Sequence, residues 1–454
     1  MNVKNKKVTV IGIGNSGFNA SVLLAENGAI VRATDSGSSP ETKEAARLLE
    51  EKGVSVETLA HTEDFIKGSE LIVTSPGIEY YSPALKWAAK HKIPVIGEME
   101  LGFRFCNGRI IAITGTNGKT TVTTLIGAML KDGGFDAVVC GNIGNSLCGE
   151  ISWIKKDTWV VLEVSSFQLE TIESFRPDIA VILNITDDHM DRYSKFEDYF
   201  KEKLKIFKNQ EKNDTLILNY DAGNLRTLSD RARSKVLFYS RISTVNGACL
   251  KSGAIFALSG GVKKEICKTG DIRLKGLHNE ENVLAATLAA SAAGVKPESI
   301  KNTVMGFKGL RHRFETVDTI DGVEYIDDSK GTTVDSTRRA LDSCERPVIL
   351  IAGGKDKYSD YGSIKDMIGQ KVRDLILIGE AKVAIAEALN GVSATHRAET
   401  LEDAVDMARG LAREGDIVML SPMCSSFDMF KSYKHRGEVF RSAVGKIQKQ
   451  QQKA

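Results

Sequence analysis

Short apolar runs alternate with longer amphipathic stretches through the first hundred residues of the chain. Four runs rich in β-branched residues, KVTVIGIG, AIVRATD, ELIVTSPGI and IPVIGE, are separated by segments with helical patterns. Strands that alternate with helices are typical of a parallel sheet with crossover helices. This part of the chain therefore predicts an α/β domain.

The same alternation recurs twice further along the chain. One series runs through RIIAITGTNGKTT, TWVVLEVSS, DIAVILNIT and DTLILNYD and is followed by the helix-like NEENVLAATLAASAAG. Another runs through VEYIDDSKGTT, PVILIAGGKDK, DLILIGE and DIVMLSP. At about 150 residues per domain, a chain of 454 residues fits roughly three domains. We predict an α/β protein with three domains at residues 1–98, 99–308 and 309–454, the last boundary lying near GFKGLRHRFE.

Composition excludes several classes of protein. A hydrophobic content of 42% and a charged content of 26% are typical of soluble globular proteins. The formal charge of +2 argues against nucleic acid as the main partner. No apolar stretch approaches membrane-spanning length, and the N-terminus runs directly into a strand instead of a signal peptide. The seven cysteines are scattered and form no C-x-x-C pair, so we expect reduced thiols in a cytoplasmic protein.

A first glycine-rich loop, GIGNSG, lies between the predicted strand KVTVI and a helix. Its glycines are Gly12, Gly14 and Gly17, and Asp35 ends the next strand. This is a complete dinucleotide-binding fingerprint, in which the acidic residue suits a ribose hydroxyl. The pattern alone leaves two interpretations open: an NAD site, or a glycine turn that binds another nucleotide or none.

A second loop, TGTNGKTT, follows the predicted strand RIIAI and precedes a helical pattern. The strict phosphate-loop motif requires a glycine where this chain has Ile113. Small residues nevertheless let backbone N–H groups surround a phosphate at the helix N-terminus. Lys119 can face the β- and γ-phosphates, and the Thr120 hydroxyl can hold Mg²⁺. We predict a phosphate-binding loop in preference to a chance glycine turn.

Possible metal ligands end the next two predicted strands. Glu163 interrupts the apolar run WVVLEV, and ITDDHMDRY contains Asp187, Asp188, His189 and Asp191. Glu163 alone could be a salt-bridge partner, and the aspartates alone could cap a helix. The carboxyl ends of parallel strands share one crevice, so a Mg²⁺-nucleotide site explains the set better.

A lysine in FEDYFKEKLKIFKN stands out against the usual solvated helix face. Phe196, Phe200, Lys203 and Phe207 fall on one stripe at helical spacing, whereas the neighbouring lysines point elsewhere. We therefore predict that Lys203 is buried. A buried ammonium needs an anion nearby or a chemical change.

Nine motifs together carry a resemblance to the Mur ligases of peptidoglycan synthesis. They are GTNGKTT, GNIGNS, EVSSFQLE, NITDDHMDRY, KLKIF, HNEENVLAA, HRFE, DDSKGTT and LSPMCSSFD, in the order seen in that family and over essentially the full chain. Within the family, SSFQLE and the first domain most resemble the branch that adds D-glutamate. The resemblance implies a Rossmann-like UDP-sugar-binding N-terminal domain, a central P-loop ATPase-like domain that binds ATP and Mg²⁺, and a Rossmann-like C-terminal domain that binds the amino acid.

The implied reaction is an ATP-dependent ligation. ATP would phosphorylate the terminal carboxylate of UDP-N-acetylmuramoyl-L-alanine to an acyl phosphate, which the amine of D-glutamate would attack. The implied cofactors are ATP and two Mg²⁺ ions, and we expect the chain to act as a monomer. Alternatives are an NAD(P)-dependent dehydrogenase, suggested by GIGNSG, another Mur-type ligase with different amino-acid specificity, or a non-catalytic nucleotide switch.

The resemblance also implies roles for individual residues. Lys119, His189 and Lys203 would be catalytic; Thr120 and Glu163 would hold one metal ion, and His189 with a carbamylated Lys203 the other. The implied ATP contacts are Gly115, Thr116, Asn117, Gly118, Lys119, Thr120, Thr121, Asn279, Asn282, Arg313 and Asp328.

Substrate contacts are implied in all three domains. Those for the UDP-sugar are Asn15, Ser16, Gly17, Asp35, Ser36 and Gly77, and those in the central domain are Asn142, Ser165, Gln168 and His189. Those for D-glutamate are Lys330, Thr332, Lys357, Ser426, Phe427 and Tyr433. This chain reads DSKGTT where many relatives read DSKATN, and GGKDKYSD also departs from several relatives. Both departures bear on the fine amino-acid specificity.

Overall fold

The fold is known from a computed structural model that describes residues 1–79, 81–188, 192–193, 195–259, 261–274, 276–356 and 359–451. Two compact units make up the chain. The first comprises Met1–Ile185, Tyr199–Lys268 and Val283–Val304, and the second comprises Thr186–Asp198, Thr269–Asn282 and Met305–Ala454.

The N-terminal sheet of the first unit is parallel throughout its described strands. Its strands are β1 (Lys7–Ile11), β2 (Ile30–Thr34), β3 (Ser55–Glu57), β4 (Leu71–Thr74) and β5 (Val95–Gly97). Its helices are α1 (Asn15–Glu26), α2 (Pro40–Glu50), α3 (Glu63–Ile66), α4 (Pro83–Lys90) and α5 (Glu98–Phe105). The strand order β3-β2-β1-β4-β5 is that of a Rossmann-like half, and it places the β1–α1 loop where the order reverses.

The central sheet belongs to the same unit and is larger. Its strands are β6 (Arg109–Thr114), β7 (Ala137–Gly141), β8 (Trp159–Glu163), β9 (Ile179–Ile182), β10 (Thr215–Asn219), β11 (Lys235–Ser240), β12 (Gly247–Lys251), β13 (Ala254–Ser259) and β14 (Val262–Lys268). The order is β14-β13-β12-β11-β10-β9-β6-β8-β7. Among the described strands of this sheet, β13 pairs antiparallel with both β12 and β14 at one edge, and the other pairings are parallel.

Helices and tight turns connect these strands. The helices are α6 (Lys119–Asp132), α7 (Leu147–Glu150), α8 (Ser166–Leu169), α9 (Phe196–Leu204), α10 (Gly223–Arg226), α11 (Leu277–Ala292) and α12 (Pro297–Gly306). Short 3₁₀ turns cover Ile151–Trp153, Lys205–Phe207, Thr227–Arg231 and Thr269–Asp271. The strands β6, β8 and β9 are apolar and buried, as expected for a parallel sheet covered on both faces.

A third sheet lies in the second unit. Its strands are β15 (Glu315–Ile320), β16 (Val323–Asp327), β17 (Val348–Gly353), β18 (Val372–Ile378), β19 (Ala394–Arg397) and β20 (Ile417–Leu420). Its helices are α13 (Val334–Asp342), α14 (Lys365–Lys371), α15 (Lys382–Ala388), α16 (Leu401–Leu411) and α17 (Tyr433–Gln451), with a 3₁₀ turn at Tyr361–Ile364. The order is β15-β16-β20-β17-β18-β19, parallel except for the β15–β16 hairpin, and a hydrophobic core lies on each face.

The predicted fold class is confirmed: three successive sheets are mostly parallel and connected by helices. The boundaries at 98 and 308 stay predictions. No helix in the described ranges is long and apolar enough to cross a bilayer. All seven cysteines lie within the described ranges, and none of them forms a disulfide.

Candidate active site

The predicted phosphate loop lies between β6 and α6. Strand β6 ends at Thr114, and α6 begins at Lys119. Gly118 has a φ of +84°, a left-handed conformation that glycine adopts without steric cost. The loop thus presents backbone N–H groups at the positive end of a helix of 14 residues, the geometry that binds phosphate.

Asn184, two residues beyond the end of β9, clamps this loop. Its side-chain oxygen accepts a hydrogen bond from Asn117 N at 2.8 Å, and its amide donates to Asn117 O at 3.1 Å. Its backbone oxygen accepts from Thr116 N at 2.9 Å. Three hydrogen bonds from one buried residue fix the loop conformation before any ligand arrives.

Two lysines converge on the start of the loop. Lys119 Nζ donates to Gly115 O at 2.8 Å and to Thr116 O at 2.9 Å. Lys203 Nζ donates to Gly115 O at 2.9 Å, lies 3.5 Å from Thr114 Oγ1, and sits 4.7 Å from the centre of the Tyr199 ring. The carbonyl of Gly115 is therefore shared by two ammonium groups.

The predicted burial of Lys203 is confirmed, since the residue is 1% exposed. The stripe that buries it differs from the prediction, because Tyr199 is buried whereas Phe196 and Phe200 are half-buried. Tyr199 lies four residues before Lys203 in α9, one helical turn away, so the two share a face, and the buried stripe is centred nearer Tyr199 than Phe196 or Phe200.

Glu163 offers a carboxylate oxygen at the same edge. It ends β8, pairs with Ile113 in the register with β6, and is 2% exposed. Its Oε1 accepts a hydrogen bond from Asn142 Nδ2 at 2.8 Å. Within the described residues its buried Oε2 has no hydrogen-bond partner. Because a buried carboxylate oxygen is costly to leave unsatisfied, this atom fits a Mg²⁺ ligand.

Part of the predicted ligand set lies outside the described residues. His189, Asp191 and Lys357 belong to this group, so their predicted roles stay predictions.

The first glycine loop joins β1 to α1 in a close backbone contact. Gly12 has a φ of +84°, and a Cβ at Gly17 would lie 1.7 Å from Gly12 O. Asp35 braces this region: its carboxylate accepts from Ile13 N at 2.8 Å and from Gly37 N at 2.7 Å. The sequence interpretation gave Asp35 a ribose contact, and the structure adds a role in holding the loop.

Other predicted substrate contacts surround these loops. Ser36 and Gly77 are exposed, and Asn15 opens α1. Ser165 and Gln168 form a capping box at the start of α8, with Gln168 N donating to Ser165 Oγ at 3.3 Å and Ser165 N to Gln168 Oε1 at 2.9 Å. The capping box explains both residues structurally, and their predicted substrate contacts remain untested.

In the second unit, the predicted adenine contacts lie together on α11. Asn279 and Asn282 are both buried, and Asn282 Nδ2 donates to Asn279 Oδ1 at 3.2 Å. Asp328 follows β16 and accepts hydrogen bonds from Ser421 Oγ at 2.8 Å and Phe314 N at 3.2 Å. Burial raises the pKa of the Asp328 carboxyl to about 7, and the hydrogen bond from Ser421 and the charge of Arg313 act in the opposite direction.

Residues predicted to hold D-glutamate form a second group in this unit. Lys330 Nζ lies 4.9 Å from the centre of the Tyr433 ring, within the range of a cation–π contact. Thr332 N donates to Lys330 O at 2.9 Å. Ser426 is buried, whereas the neighbouring Phe427 is 73% exposed. An exposed phenylalanine beside a buried serine suits a surface that contacts a ligand.

Sequence reasoning missed several residues that support these sites. Asn184 and Tyr199 hold the phosphate loop, the latter through Thr116 Oγ1 at 3.2 Å. Arg436 is fully buried and donates to the backbone oxygens of Ser329, Cys424 and Ser425, which joins the segments carrying Lys330 and Ser426. A strand-ending asparagine directly after IAVIL was a usable signal for Asn184, but Arg436 gave none.

Three domain families match the chain in sequence order. The Mur ligase MurD-like N-terminal domain matches residues 6–97, the Mur ligase middle domain matches 113–290, and the Mur ligase glutamate ligase domain matches 312–424.

Full-length relatives match as well. The UDP-N-acetylmuramoylalanine–D-glutamate ligase of Koribacter versatilis is 45% identical over 454 residues, which is all of both chains. The enzyme of the same name from Acidobacterium capsulatum is 42% identical over 98% of this chain and 97% of its own. These matches do not favour a dehydrogenase.

Solved structures share the fold at low identity. The UDP-N-acetylmuramate-alanine ligase MurC of Thermotoga maritima aligns with a TM-score of 0.60 and 17% identity, covering 98% of this chain and 99% of its own. A pseudomurein peptide ligase type C from Methanothermus fervidus aligns with a TM-score of 0.63 and 17% identity, covering 98% and 100%. At this identity the likeness shows the fold alone.

Proposed function

This chain belongs to the Mur ligase family of ATP-dependent ligases of peptidoglycan synthesis, and we propose that it joins D-glutamate to UDP-N-acetylmuramoyl-L-alanine. The observation that carries the proposal is the edge of the central sheet, which brings together the phosphate loop, the buried Lys203 and a Glu163 oxygen that has no hydrogen-bond partner among the described residues. The names of the full-length relatives support the choice of substrates.

Activation of a carboxylate is the chemical problem that this edge solves. A carboxylate oxygen is a poor leaving group, and phosphorylation turns it into a good one. We propose that the γ-phosphoryl group of ATP passes to the substrate carboxylate, and that the D-glutamate amine then displaces phosphate to form the amide. Lys119 donates hydrogen bonds to two backbone carbonyls of the loop. Its ammonium group therefore lies where it can neutralise negative charge on the phosphates.

The donor set around the loop fits Mg²⁺. Thr120 and Glu163 would hold one ion, and the buried Oε2 of Glu163 supplies the hard anionic oxygen that Mg²⁺ requires. His189 and a carbamylated Lys203 would hold a second. When bound, Mg²⁺ neutralises charge on the phosphoryl group in transfer. Lys203 reaches the first residue of the loop, so an adduct on its Nζ would lie beside the phosphates.

The remaining predicted contacts assign the UDP group to the first glycine loop and D-glutamate to residues in the C-terminal part of the chain. The β1–α1 loop, with Asn15, Ser16 and Gly17, would take the UDP group at a helix N-terminus. Lys330, Ser426 and Phe427 would take D-glutamate. ATP and the UDP-sugar are intracellular nucleotides, so we propose that the enzyme acts in the cytoplasm. We also propose that it acts as a monomer.

Product identification tests this proposal. Purified protein is incubated with ATP, Mg²⁺, UDP-N-acetylmuramoyl-L-alanine and one amino acid at a time, and products are identified by mass. We expect an amide product and phosphate release with D-glutamate, and none with L-glutamate, L-alanine or lysine. Preferential use of another amino acid would overturn the assigned specificity. Binding of NADH in place of UDP would favour the dehydrogenase alternative.

A further inference from the structure

A cavity of about 280 Å³ opens on the side of α9 and the following 3₁₀ turn. Five cationic side chains line it: Lys201, Lys205, Lys208, Arg231 and Arg233. No acidic side chain of the described chain is among its lining residues. The lining lies wholly in the first unit and includes no residue of the phosphate loop.

Two acidic residues that follow the helix in sequence have a partner outside the cavity, and Asp230, beside Arg231, accepts a hydrogen bond from Ser229 Oγ at 3.3 Å. Glu211 and Asp214 both pair with Arg176, at 2.8 Å and 2.7 Å. Glu202 pairs with Lys205, which is itself a lining residue. Lys208 and Arg233 are exposed and make no side-chain hydrogen bond or ion pair in the described part of the chain.

Lys208, Arg231 and Arg233 bring to one concavity three positive charges that have no carboxylate partner in the described part of the chain, and an anion in the cavity would offset their mutual repulsion. Arginine guanidinium groups present paired N–H donors that match phosphate oxygens. The apolar lining is limited to Leu204 and Phe207, both buried. Charge therefore dominates recognition, and the concave shape suits a compact ligand better than a flat surface.

From this arrangement we propose a second anion-binding site, distinct from the ATP site, that takes a small molecule bearing two or more clustered phosphate groups. The opposite face of the same helix carries Tyr199 and Lys203, which contact Thr116 and Gly115 of the phosphate loop. A ligand in the cavity would thus bind one helix width away from the residues that support the catalytic loop.

Inorganic tripolyphosphate is the probe for a direct test. Isothermal calorimetry would measure its binding to the whole protein already saturated with Mg²⁺, a non-hydrolysable ATP analogue and UDP, so that the phosphate loop and the proposed UDP loop are both occupied. We expect one further site per chain. The triple variant Lys208→Ser, Arg231→Ser, Arg233→Ser should weaken this binding by about tenfold or more, because each lost charge-assisted contact weakens phosphate recognition.

A matched variant controls for overall charge. Lys131→Ser, Lys155→Ser, Lys156→Ser removes three exposed lysines of the same unit away from the cavity, and its affinity should stay within about twofold of the parent, because remote surface charges are screened by salt. The single variant Arg233→Glu provides a second test if the triple variant does not fold.

Three results would overturn the proposal. They are absence of tripolyphosphate binding to the nucleotide-loaded protein, equal losses in the cavity and control variants, and binding to vesicles of anionic phospholipid without binding to tripolyphosphate. Ligase activity with D-glutamate does not enter this test, so failure of the cavity site and failure of the proposed function are distinguishable.

Discussion

At the residue scale, the proposed chemistry rests on Lys119, Lys203 and Glu163, and the sequence predicts a role for each of them. Lys119 is predicted from its place in a loop between a strand and a helix, and Glu163 from its place at the end of a strand. Both places face the ligand crevice of a parallel sheet. Lys203 was found from apolar spacing alone. The spacing alone did not distinguish Tyr199 from Phe196 and Phe200 as its buried neighbour, because tertiary packing decides which part of an apolar stripe is covered.

Replacement of Lys119 by alanine should stop turnover and leave binding of the UDP substrate largely intact. The lysine faces the phosphate loop, whereas the proposed uridine site lies on the N-terminal sheet. We expect the turnover number to fall on the order of 10³-fold, as when a preorganised charge is lost from a transition state. Steady-state kinetics and calorimetry measure the two effects. Lys131→Ala, exposed at the far end of α6, is the control. Joint loss of both ligands in a folded variant would contradict the two-site assignment.

Lys203 should act as a carbamate. Lys203→Ala and Lys203→Arg should both lose nearly all activity, since neither can form an anionic oxygen ligand, while Lys212→Ala on the surface should not. Added acetate should restore part of the alanine variant's activity by occupying the vacated oxygen position. Activity of Lys203→Arg near the parent level, or an unmodified amine in an active metal-loaded complex, would refute this role.

The titration of Asp328 should give the C-terminal unit a stability that depends on pH. Burial raises the pKa of this carboxyl from 3.8 to about 7, so between these values the folded state holds the proton and the unfolded chain does not. Its contribution is complete below pH 3.8 and is lost as pH rises towards 7, at most by about 1.4 kcal/mol per pH unit. Urea unfolding at pH 5 and 7.5 should show a smaller decrease for Asp328→Asn than for the parent or for Asp342→Asn, an exposed control. An equal change in the free energy of unfolding between pH 5 and 7.5 in all three proteins would contradict the role of Asp328.

At the scale of elements, the apolar pattern predicted the strands that surround the sites and missed those at the margins. Continuous, mostly buried apolar runs form β1, β6, β8, β9, β16 and β17. Such runs can be recognised as strands from the sequence alone. The pattern gave no strand at β14, whose sequence VKKEICK is largely exposed, or at β19, which has no buried residue. Such strands are ordered by pairing with a neighbour and carry little hydrophobic signal of their own.

The clamp between β9 and the phosphate loop yields an element-scale prediction. Asn184→Ala removes both side-chain hydrogen bonds to Asn117, so the loop should lose its preorganised shape. We expect ATP affinity to fall by about tenfold or more, since each lost hydrogen bond to a buried group costs about 1–3 kcal/mol. Binding of UDP should not change.

A control for this variant lies at the end of the adjacent strand. Asn219 is equally buried at the end of β10 and accepts a hydrogen bond from Asp221 N, away from the phosphate loop. Asn219→Ala should therefore retain ATP affinity. Equal losses in the two variants would attribute the effect to general destabilisation and contradict the clamp.

For the whole molecule, composition and periodicity predicted three α/β sheets in succession, and motif order over the full chain indicated the family. Neither the periodicity nor the motif order identifies the substrates from physical principles alone. One fold supports many chemistries, and the specificity for a substrate resides in a few side chains. The first glycine loop illustrates the limit: its fingerprint is compatible with more than one nucleotide, and only the other motifs favour UDP over NAD. Asp35, which the fingerprint assigns to a ribose, also braces two loop amides.

The central claim is that ATP activates the substrate carboxylate by phosphorylating it, and oxygen transfer tests this most directly. UDP-N-acetylmuramoyl-L-alanine labelled with ¹⁸O in both carboxylate oxygens is converted in the presence of ATP, Mg²⁺ and D-glutamate, and the released phosphate is analysed by mass. Amide formation through an acyl phosphate breaks one carbon–oxygen bond, so each phosphate released should carry one labelled oxygen. Amide product accompanied by unlabelled phosphate, or by label in AMP, would contradict the account.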